Sequence, residues 1–215
     1  GGYRLGHDRI FDHMMLDGLE DAYEPGRSMG TFGEDCAAKY GFTRAEQDAF
    51  ATASVERAKA ATASGAFAAE ITPVTVKSRA GETVVSVDEG PGKVKLDKIA
   101  SLKPAFKKDG TITAASSSSI NDGAAALVMM RASTATKLGC KPLARIVGHA
   151  THAQEPEWFA TAPLGATQKA LAKAGWAVGD VDLWEINEAF AVVPMALMKE
   201  LNLPHDKVNV NGGAC

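Results

Sequence analysis

The sequence predicts an α/β protein in two parts: a mostly helical region with a short β-hairpin, followed by part of a layered α/β core. The first third of the chain is polar and follows a helical period, whereas residues 121–215 alternate short apolar segments with amphipathic ones. That alternation is typical of buried parallel strands covered by helices. With 215 residues, 46% of them hydrophobic and 23% charged, the chain can bury a core.

Helices are predicted over most of the first third. Residues 8–23 repeat apolar side chains at helical spacing, and residues 28–41 predict a shorter helix after a glycine-containing turn. Thr43 and Glu46 have the spacing of a capping box at the start of a long Ala-rich helix, and Gly65 is a natural stop for it.

A β-hairpin is predicted at residues 71–87, where polar and apolar residues alternate around a turn at Ala80-Gly81. The segment that follows, residues 88–123, is rich in Gly, Pro, Lys and Ser and has little periodicity. A segment of that length in a compact protein is usually functional or disordered.

The second part of the chain predicts the α/β core. Buried strands are expected at residues 124–130, 142–151, 181–186 and 207–213, and helices at 163–176 and 187–202. The first of these helices has Pro163 in its first turn and Gly175 at its end, which are ordinary helix boundaries.

Charge and cysteine content exclude several classes of function. The net charge of −3 provides no basic field for nucleic acid or anionic lipid, and no apolar run approaches the length of a membrane span. Cys36, Cys140 and Cys215 lie far apart, so we expect neither a zinc site nor a disulfide framework, and a cytoplasmic location. His149 and His152 lack a third ligand nearby, so no metal is expected there.

Asn187 is the most informative polar residue, because it follows a predicted strand and precedes a predicted helix. Its amide could cap that helix or reach into the crevice that forms where parallel strands end, and spacing alone favours the cap. Glu188 is expected to be a first-turn residue stabilised by the helix dipole.

Two other stretches leave alternatives open. The Ser-rich residues 111–126 could be a ligand-binding wall or a surface linker. The lysines of residues 92–108 could contact an anionic small molecule or belong to a solvated loop. Cys215 stands on a Gly-Gly turn, as a nucleophile could, but no triad motif supports it.

Several motifs together resemble one family. Residues 29–61, L-K-P-A-F at 102–106, S-x-x-x-N-D-G-A-A-A at 117–126, N-E-A-F-A at 187–191 and N-V-N-G-G-A at 209–214 occur in the order and spacing of the thiolase family. Within that family the chain looks like the biosynthetic acetyl-CoA C-acetyltransferases. The resemblance extends over almost the whole chain.

The resemblance implies a layered α/β/α core with an inserted helical loop domain. It places the loop domain, which binds coenzyme A, at residues 1–120, the end of the N-terminal core domain at 121–140 and the first part of the C-terminal core domain at 141–215. It also implies that the two reactive cysteines and the catalytic histidine lie outside these residues, so that the chain is an internal fragment, inactive alone, and Cys215 is a packing residue.

The resemblance also implies the site residues. Asn187 matches a catalytic asparagine that holds a water beside the histidine. The matched substrate-binding residues are Leu19, Ser28, Met29, Leu102, Ala105, Phe106, Ala114, Ser118, Ser119, Ala189 and Phe190. Three departures stand out: Ser28 replaces a common histidine, Ser119 replaces a glycine, and Lys93 or Lys95 stands where an arginine often meets the nucleotide phosphates.

The implied activity is the condensation of two acetyl-CoA to acetoacetyl-CoA and the reverse thiolysis, through a cysteine acyl-enzyme. The alternatives are a degradative 3-ketoacyl-CoA thiolase for longer chains and a non-catalytic acyl-CoA-binding relative. The implied partners are acyl-CoA and a second or further copies of the chain, as a homodimer or homotetramer. The resemblance implies no cofactor beyond the coenzyme A thioester, no metal and a place in fatty acid metabolism.

Overall fold

The first two long helices begin and end where the sequence predicts. The computed structural model describes residues 5–215. Helix α1 spans Met29–Tyr40 and α2 spans Arg44–Ser64. The capping box is present, since the Thr43 side chain accepts from the Glu46 N–H while the Glu46 carboxylate accepts from the Thr43 N–H. Gly65 ends α2 in the left-handed conformation that costs glycine little.

Helix α2 is further anchored by polar contacts to the segments that follow it. It packs on the short helix α3, Gly90–Lys93, and on a 3₁₀ helix at Leu96–Ser101. Arg44 at its start donates to the carbonyls of Ile99 and Leu102, both at 3.0 Å. These bonds hold the segment before residue 106 against α2.

The predicted hairpin forms between β1, Val74–Ser78, and β2, Gly81–Val85. The strands are antiparallel, with Val74 opposite Val85 and Ser78 opposite Gly81. Every residue of both strands is exposed. The hairpin therefore projects from the rest of the described chain rather than covering its core.

The hydrophobic core lies between α1, a 3₁₀ helix at Pro156–Thr161, and helices α5, Ala162–Ala174, and α6, Val192–Leu201. Its fully or nearly buried members are Cys36, Ala37, Ile112, Ala160, Trp184, Ile186, Phe190, Val192, Val193, Ala196, Leu197, Leu203 and Val208. Helix α5 has Pro163 in its first turn and ends at Gly175, as predicted.

Two predicted helices are shorter than expected. Within residues 8–23, a π-helix covers only Met15–Leu19 and buries none of its residues. The apolar stripe there has little to pack on, and an isolated short helix is unstable without packing. Helix α6 begins at Val192, five residues after the predicted start, and ends at Leu201, with Asn202 as its C-cap at a φ of 52°.

The predicted core strands are largely absent from the described part of the chain. Residues 181–186 and 207–213 pair through one parallel bridge, between Trp184 and Val208. The Trp184 N–H donates to the Lys207 carbonyl, and the Asn209 N–H donates to the Trp184 carbonyl, both at 2.8 Å. Residues 124–130 and 142–151 form neither helix nor strand. A strand needs a hydrogen-bonded neighbour, and these two have none among residues 5–215.

Three short elements complete the described chain: helix α4, Ala132–Lys137, and 3₁₀ helices at Val178–Asp180 and His205–Lys207. Among the described residues, no helix is both long and apolar enough to span a bilayer. In the same part of the chain, His, Cys, Asp and Glu side chains form no group of three that could hold a metal ion.

Candidate functional site

The Ser-rich loop and the N-E-A-F-A loop meet through main-chain hydrogen bonds. Ala191 N–H donates to the Ser116 carbonyl at 2.9 Å, and Ser118 N–H donates to the Ala189 carbonyl at 3.1 Å. Phe190 lies in an antiparallel bridge between them. Three residues that the sequence assigns to substrate binding, Ser118, Ala189 and Phe190, are thus held side by side.

Phe106 joins this cluster through its ring. It packs edge-on against Phe190, with ring centroids 5.7 Å apart and planes at 86°. A Cβ at Gly30 would overlap the Phe106 ring, so only glycine lets α1 approach this closely. Met29, the first residue of α1, precedes Gly30 in sequence and is half-buried. Ala105 is tied in by its N–H, which donates to the Ile112 carbonyl at 2.9 Å.

The Ser-rich loop is folded where it meets the site. Thr113 N–H donates to the Ser116 hydroxyl at 2.9 Å, and the Ser117 hydroxyl donates to the Thr113 carbonyl at 2.7 Å. These local bonds leave Ala114 and Ser118 exposed. Within the Ser-rich residues 111–126, residues 111–118 are therefore folded where they meet the site, whereas residues 119–126 are exposed. The geometry of residues 111–118 fits a ligand-binding wall, and that interpretation stays a prediction.

A buried carboxylate from α1 anchors the start of that loop, and sequence reasoning missed it. Glu34 is buried and accepts from the main-chain N–H groups of Thr111 and Ile112 at 2.9 Å and from the Thr111 hydroxyl at 3.0 Å. A signal was present: Glu34 shares the buried stripe of α1 with Gly30, one turn before it. A carboxylate on such a stripe needs donors from another segment.

Asn187 is not a helix cap. Helix α6 has Ala191 as its N-cap, without a side-chain hydrogen bond. Asn187 is exposed, and its amide has no hydrogen-bond partner among the described residues. The cap interpretation is therefore wrong, and the amide is available to a bound ligand or water.

Glu188 also differs from the prediction. It lies four residues before the first residue of α6 and is 1% exposed, so it is not a solvent-exposed first-turn residue stabilised by the helix dipole. Its carboxylate accepts from the Ser54 hydroxyl and the Asn209 amide, each at 2.7 Å, and from the Cys215 N–H at 2.9 Å. Nothing in the local sequence distinguishes this buried acceptor from a first-turn glutamate.

Cys215 has the environment of a packing residue. Burial, together with the negative charge and hydrogen bond of Glu188, raises the pKa of its thiol far above the ordinary value. Its thiol lies 3.8 Å from the Glu188 carbonyl oxygen. Because the thiolate is the nucleophilic form of cysteine, this setting disfavours nucleophilic chemistry at Cys215. Burial, and then the negative charge of Glu188, raise the pKa of the Glu185 carboxyl group.

The remaining predicted residues lie at the edges of the site. Leu19 is half-buried and is connected to the start of α1 by the bridge between Glu20 and Ser28. Ser28 is the N-cap residue of α1, but its side chain makes no capping bond. Leu102 is half-buried. The ring and hydrogen-bond contacts that join Phe106, Phe190 and Ser118 do not include Leu19 or Leu102.

Two further predicted positions are solvent-facing. Ser119 is exposed and accepts a hydrogen bond from the Asn121 amide. Lys93 pairs with Glu89 through Nζ and Oε2 at 2.5 Å, and Lys95 is exposed. Of these two lysines, Lys95 is therefore the better placed to meet an anionic group.

Comparisons with known proteins agree with this geometry. The profile described as "Thiolase, N-terminal domain" matches residues 1–133, and "Thiolase, C-terminal domain" matches residues 140–215. The chain is 50% identical to the acetyl-CoA acetyltransferase of Chromobacterium violaceum, covering 99% of this chain and 55% of that protein. It is also 50% identical to acetyl-CoA acetyltransferase 2 of Arabidopsis thaliana, covering 99% and 53%.

A solved structure shows the same fold. The crystal structure of the Bacillus anthracis acetyl-CoA acetyltransferase matches with a TM-score of 0.93 at 43% identity, over 99% of this chain and 54% of that one. This likeness confirms the predicted partial α/β thiolase core. The chain spans about half the length of the curated relatives it matches. With two family profiles matched in order, the chain belongs to the thiolase family.

Proposed function

We propose that the enzyme containing these residues condenses two acetyl-CoA to acetoacetyl-CoA and catalyses the reverse thiolysis. An enzyme cysteine outside this chain would take the acetyl group from the first acetyl-CoA and release coenzyme A. The second acetyl-CoA would then lose an α-proton to an enzyme base, and its α-carbon would form a bond to the acetyl carbonyl carbon as the C–S bond breaks and the cysteine leaves as a thiolate. Relatives named acetyl-CoA acetyltransferase support this activity.

The single observation that carries the proposal is the free amide of Asn187. It is exposed, lacks a partner within the described chain, and lies two residues before the cluster of Ala189, Phe190 and Ser118. In the proposed mechanism this amide holds a water that donates to the enolate-like oxygen formed when the α-proton leaves. A donor aimed at a developing negative charge lowers the barrier more than it strengthens substrate binding.

The cluster around Phe190 is the proposed wall for the pantetheine and acyl groups. Main-chain groups and small side chains at Ser118 and Ala189 let a narrow ligand approach, and the rings of Phe106 and Phe190 offer an apolar face. Met29 is proposed to border this face, and Leu19, Leu102 and Ala105 are proposed to contact coenzyme A further out. The proposal needs no cofactor and no metal beyond the thioester substrate itself.

Replacing Asn187 tests the proposal directly. In the intact enzyme, Asn187→Ala is expected to lower the condensation kcat by about 10²- to 10³-fold with little change in KM, because one donor to the transition state is lost. Glu185→Gln, an exposed change two residues away, is the matched control and should leave kcat unchanged. An unchanged kcat in Asn187→Ala would refute the role of Asn187.

Short-chain preference is part of the proposal and has its own measurement. Ser28 stands where a histidine is common, and this difference bears on the shape of the acyl pocket. A profile of thiolysis rate against acyl-chain length separates an acetoacetyl-CoA enzyme from a degradative thiolase that accepts longer chains. We also propose a homodimeric or homotetrameric state, a cytoplasmic location and a role in fatty acid metabolism. Sedimentation of the intact enzyme and localisation of a tagged copy measure the first two.

A further inference from the structure

The backbone on the N-terminal side of Asn187 is held by a side chain. Asn209 Oδ1 accepts from the Ile186 N–H and Asn209 Nδ2 donates to the Ile186 carbonyl, both at 2.8 Å. The Asn209 amide thus provides the same pair of bonds that a neighbouring strand would provide. These bonds extend the main-chain bridge between Trp184 and Val208 to Ile186 on one segment and Asn209 on the other.

The backbone on the C-terminal side of Asn187 is held by Glu188. Its Oε1 accepts from Asn209 Nδ2 at 2.7 Å, and its Oε2 accepts from the Ser54 hydroxyl at 2.7 Å and the Cys215 N–H at 2.9 Å. The Ser54 hydroxyl in turn accepts from the Gly213 N–H at 2.9 Å. One carboxylate therefore connects three segments: the Asn187 loop, helix α2 and the final loop.

Close packing leaves this network little room to adjust. A Cβ at Gly213 would overlap the Glu188 carboxylate, and a Cβ at Gly212 would overlap the backbone of α2 at Ser54 and Ala58. Glu188 is 1% exposed. A buried carboxylate whose partners are all donors is satisfied only while both of its oxygens accept.

We propose that Glu188 is a positioning residue that fixes Asn187 for catalysis. The inference rests on the proposed role of Asn187. Glu188 is buried while the neighbouring Asn187 is exposed, so the carboxylate acts through the backbone rather than on the substrate. A shift of about 1 Å in a catalytic group can cost about 100-fold in rate.

Glu188→Gln is the sharpest single change, because it keeps the shape of the side chain and replaces one acceptor by a donor. That new NH₂ group must face either the Asn209 amide or the Ser54 hydroxyl and Cys215 N–H, all of which donate. In the intact enzyme we expect kcat for condensation to fall by about 10- to 100-fold while KM changes by less than about threefold. Glu185→Gln, the same chemical change on an exposed neighbour, should leave both unchanged.

A double-mutant cycle separates positioning from general damage. If Glu188 acts through Asn187, Glu188→Gln should lower kcat by less than about threefold once Asn187 is already alanine. Equal fold losses in both backgrounds would overturn the proposal, since damage elsewhere would then explain the loss. If Asn187→Ala itself has no effect, the proposed function of Asn187 fails instead, so the two failures are distinguishable.

A gentler variant covers the case in which Glu188→Gln does not fold. Ser54→Ala removes one bond to the carboxylate and the support of Gly213 N–H. It should lower kcat several-fold, again only when Asn187 is present. Ser64→Ala, which removes a hydroxyl bonded only to the Ala61 carbonyl of the same helix, is the matched control and should be silent. Equal kcat values for Ser54→Ala and Ser64→Ala would overturn the proposal.

Discussion

Two apolar stretches of similar composition differ in solvent exposure in this chain: one is mostly buried and the other is exposed. Residues 191–198, A-V-V-P-M-A-L-M, comprise the N-cap and the first seven residues of α6 and are mostly buried, with Val192 at 0% and Leu197 at 1% exposure. Residues 124–130, A-A-A-L-V-M-M, are exposed, with Leu127 at 85% and Val128 at 89%. Apolar side chains are stabilised only when another surface covers them, and whether such a surface is present depends on the other segments of the fold.

Backbone hydrogen bonding explains why the two stretches differ in order as well as in burial. A helix satisfies most of its own N–H and C=O groups, so α6 needs only side-chain packing against α1 and the 3₁₀ helix at Pro156–Thr161. A strand needs a neighbouring strand for every main-chain bond. Residues 124–130 and 142–151 have no such neighbour within residues 5–215, and within this chain they form neither helix nor strand.

Thiol reactivity should show the largest difference between the two regions. Cys36 lies in the packed core and burial raises the pKa of its thiol to about 11, whereas Cys140 is exposed beside the irregular segments. Because burial both shields the Cys36 thiol and raises its pKa, iodoacetamide should label Cys36 much more slowly than the exposed Cys140. Timed labelling followed by peptide mass spectrometry measures both rates. Comparable rates would mean that α1 is not packed as described.

Truncating one leucine in each region should separate them by stability. Leu197→Ala removes a side chain that is 1% exposed and should lower the free energy of unfolding by about 2–5 kcal/mol. In the same 215-residue chain, Leu127→Ala, the matched change on an exposed side chain, should cost less than about 0.5 kcal/mol. Urea unfolding of both variants gives the difference. A large cost for Leu127→Ala would show that this residue is covered in solution.

Removing the Glu34 charge should have a smaller effect, confined to the packed region. Glu34→Gln cannot accept all of the bonds from Thr111 and Ile112, and should destabilise by about 1–3 kcal/mol. Asp35→Asn, next to it on α1, loses only a half-exposed ion pair with Arg27 and should cost less than about 1 kcal/mol. Thermal unfolding of the two variants ranks them, and the reverse order would contradict the described role of Glu34.

Local sequence signals predict this molecule well where a helix carries its own boundaries. Thr43, Glu46 and Gly65 define α2, and Pro163 and Gly175 define α5, because capping depends on residues within one turn of each other. The same logic failed at Asn187, whose position suits a cap while the helix starts at Val192. An N-cap residue is common before helices, but α6 starts after Ala191 without a side-chain cap and with Val192, Val193 and Pro194 buried in its first turn.

The site residues likewise fall into those that the sequence predicts and those that depend on contacts with distant segments. The resemblance to thiolases pointed to Phe106, Ser118, Ala189 and Phe190, and the structure brings these four together. Glu34 and Glu188 could not be found in this way, because their importance comes from donors 77 and 134 residues away in the chain. The domain boundaries at residues 120 and 140 stay predictions, and residues 1–4 of the first domain lie outside the described residues.

The side-chain pairing of Asn209 with Ile186 has a consequence for folding. Asn209 has a φ of 47°, so the chain turns away after a single parallel bridge, and its amide completes the pairing in place of the backbone. A slip of one residue would put Val208 or Val210 at that point, and neither can bond to both sides of Ile186. The alignment of the two segments is therefore specified by one side chain, which lets a very short contact fix a unique register.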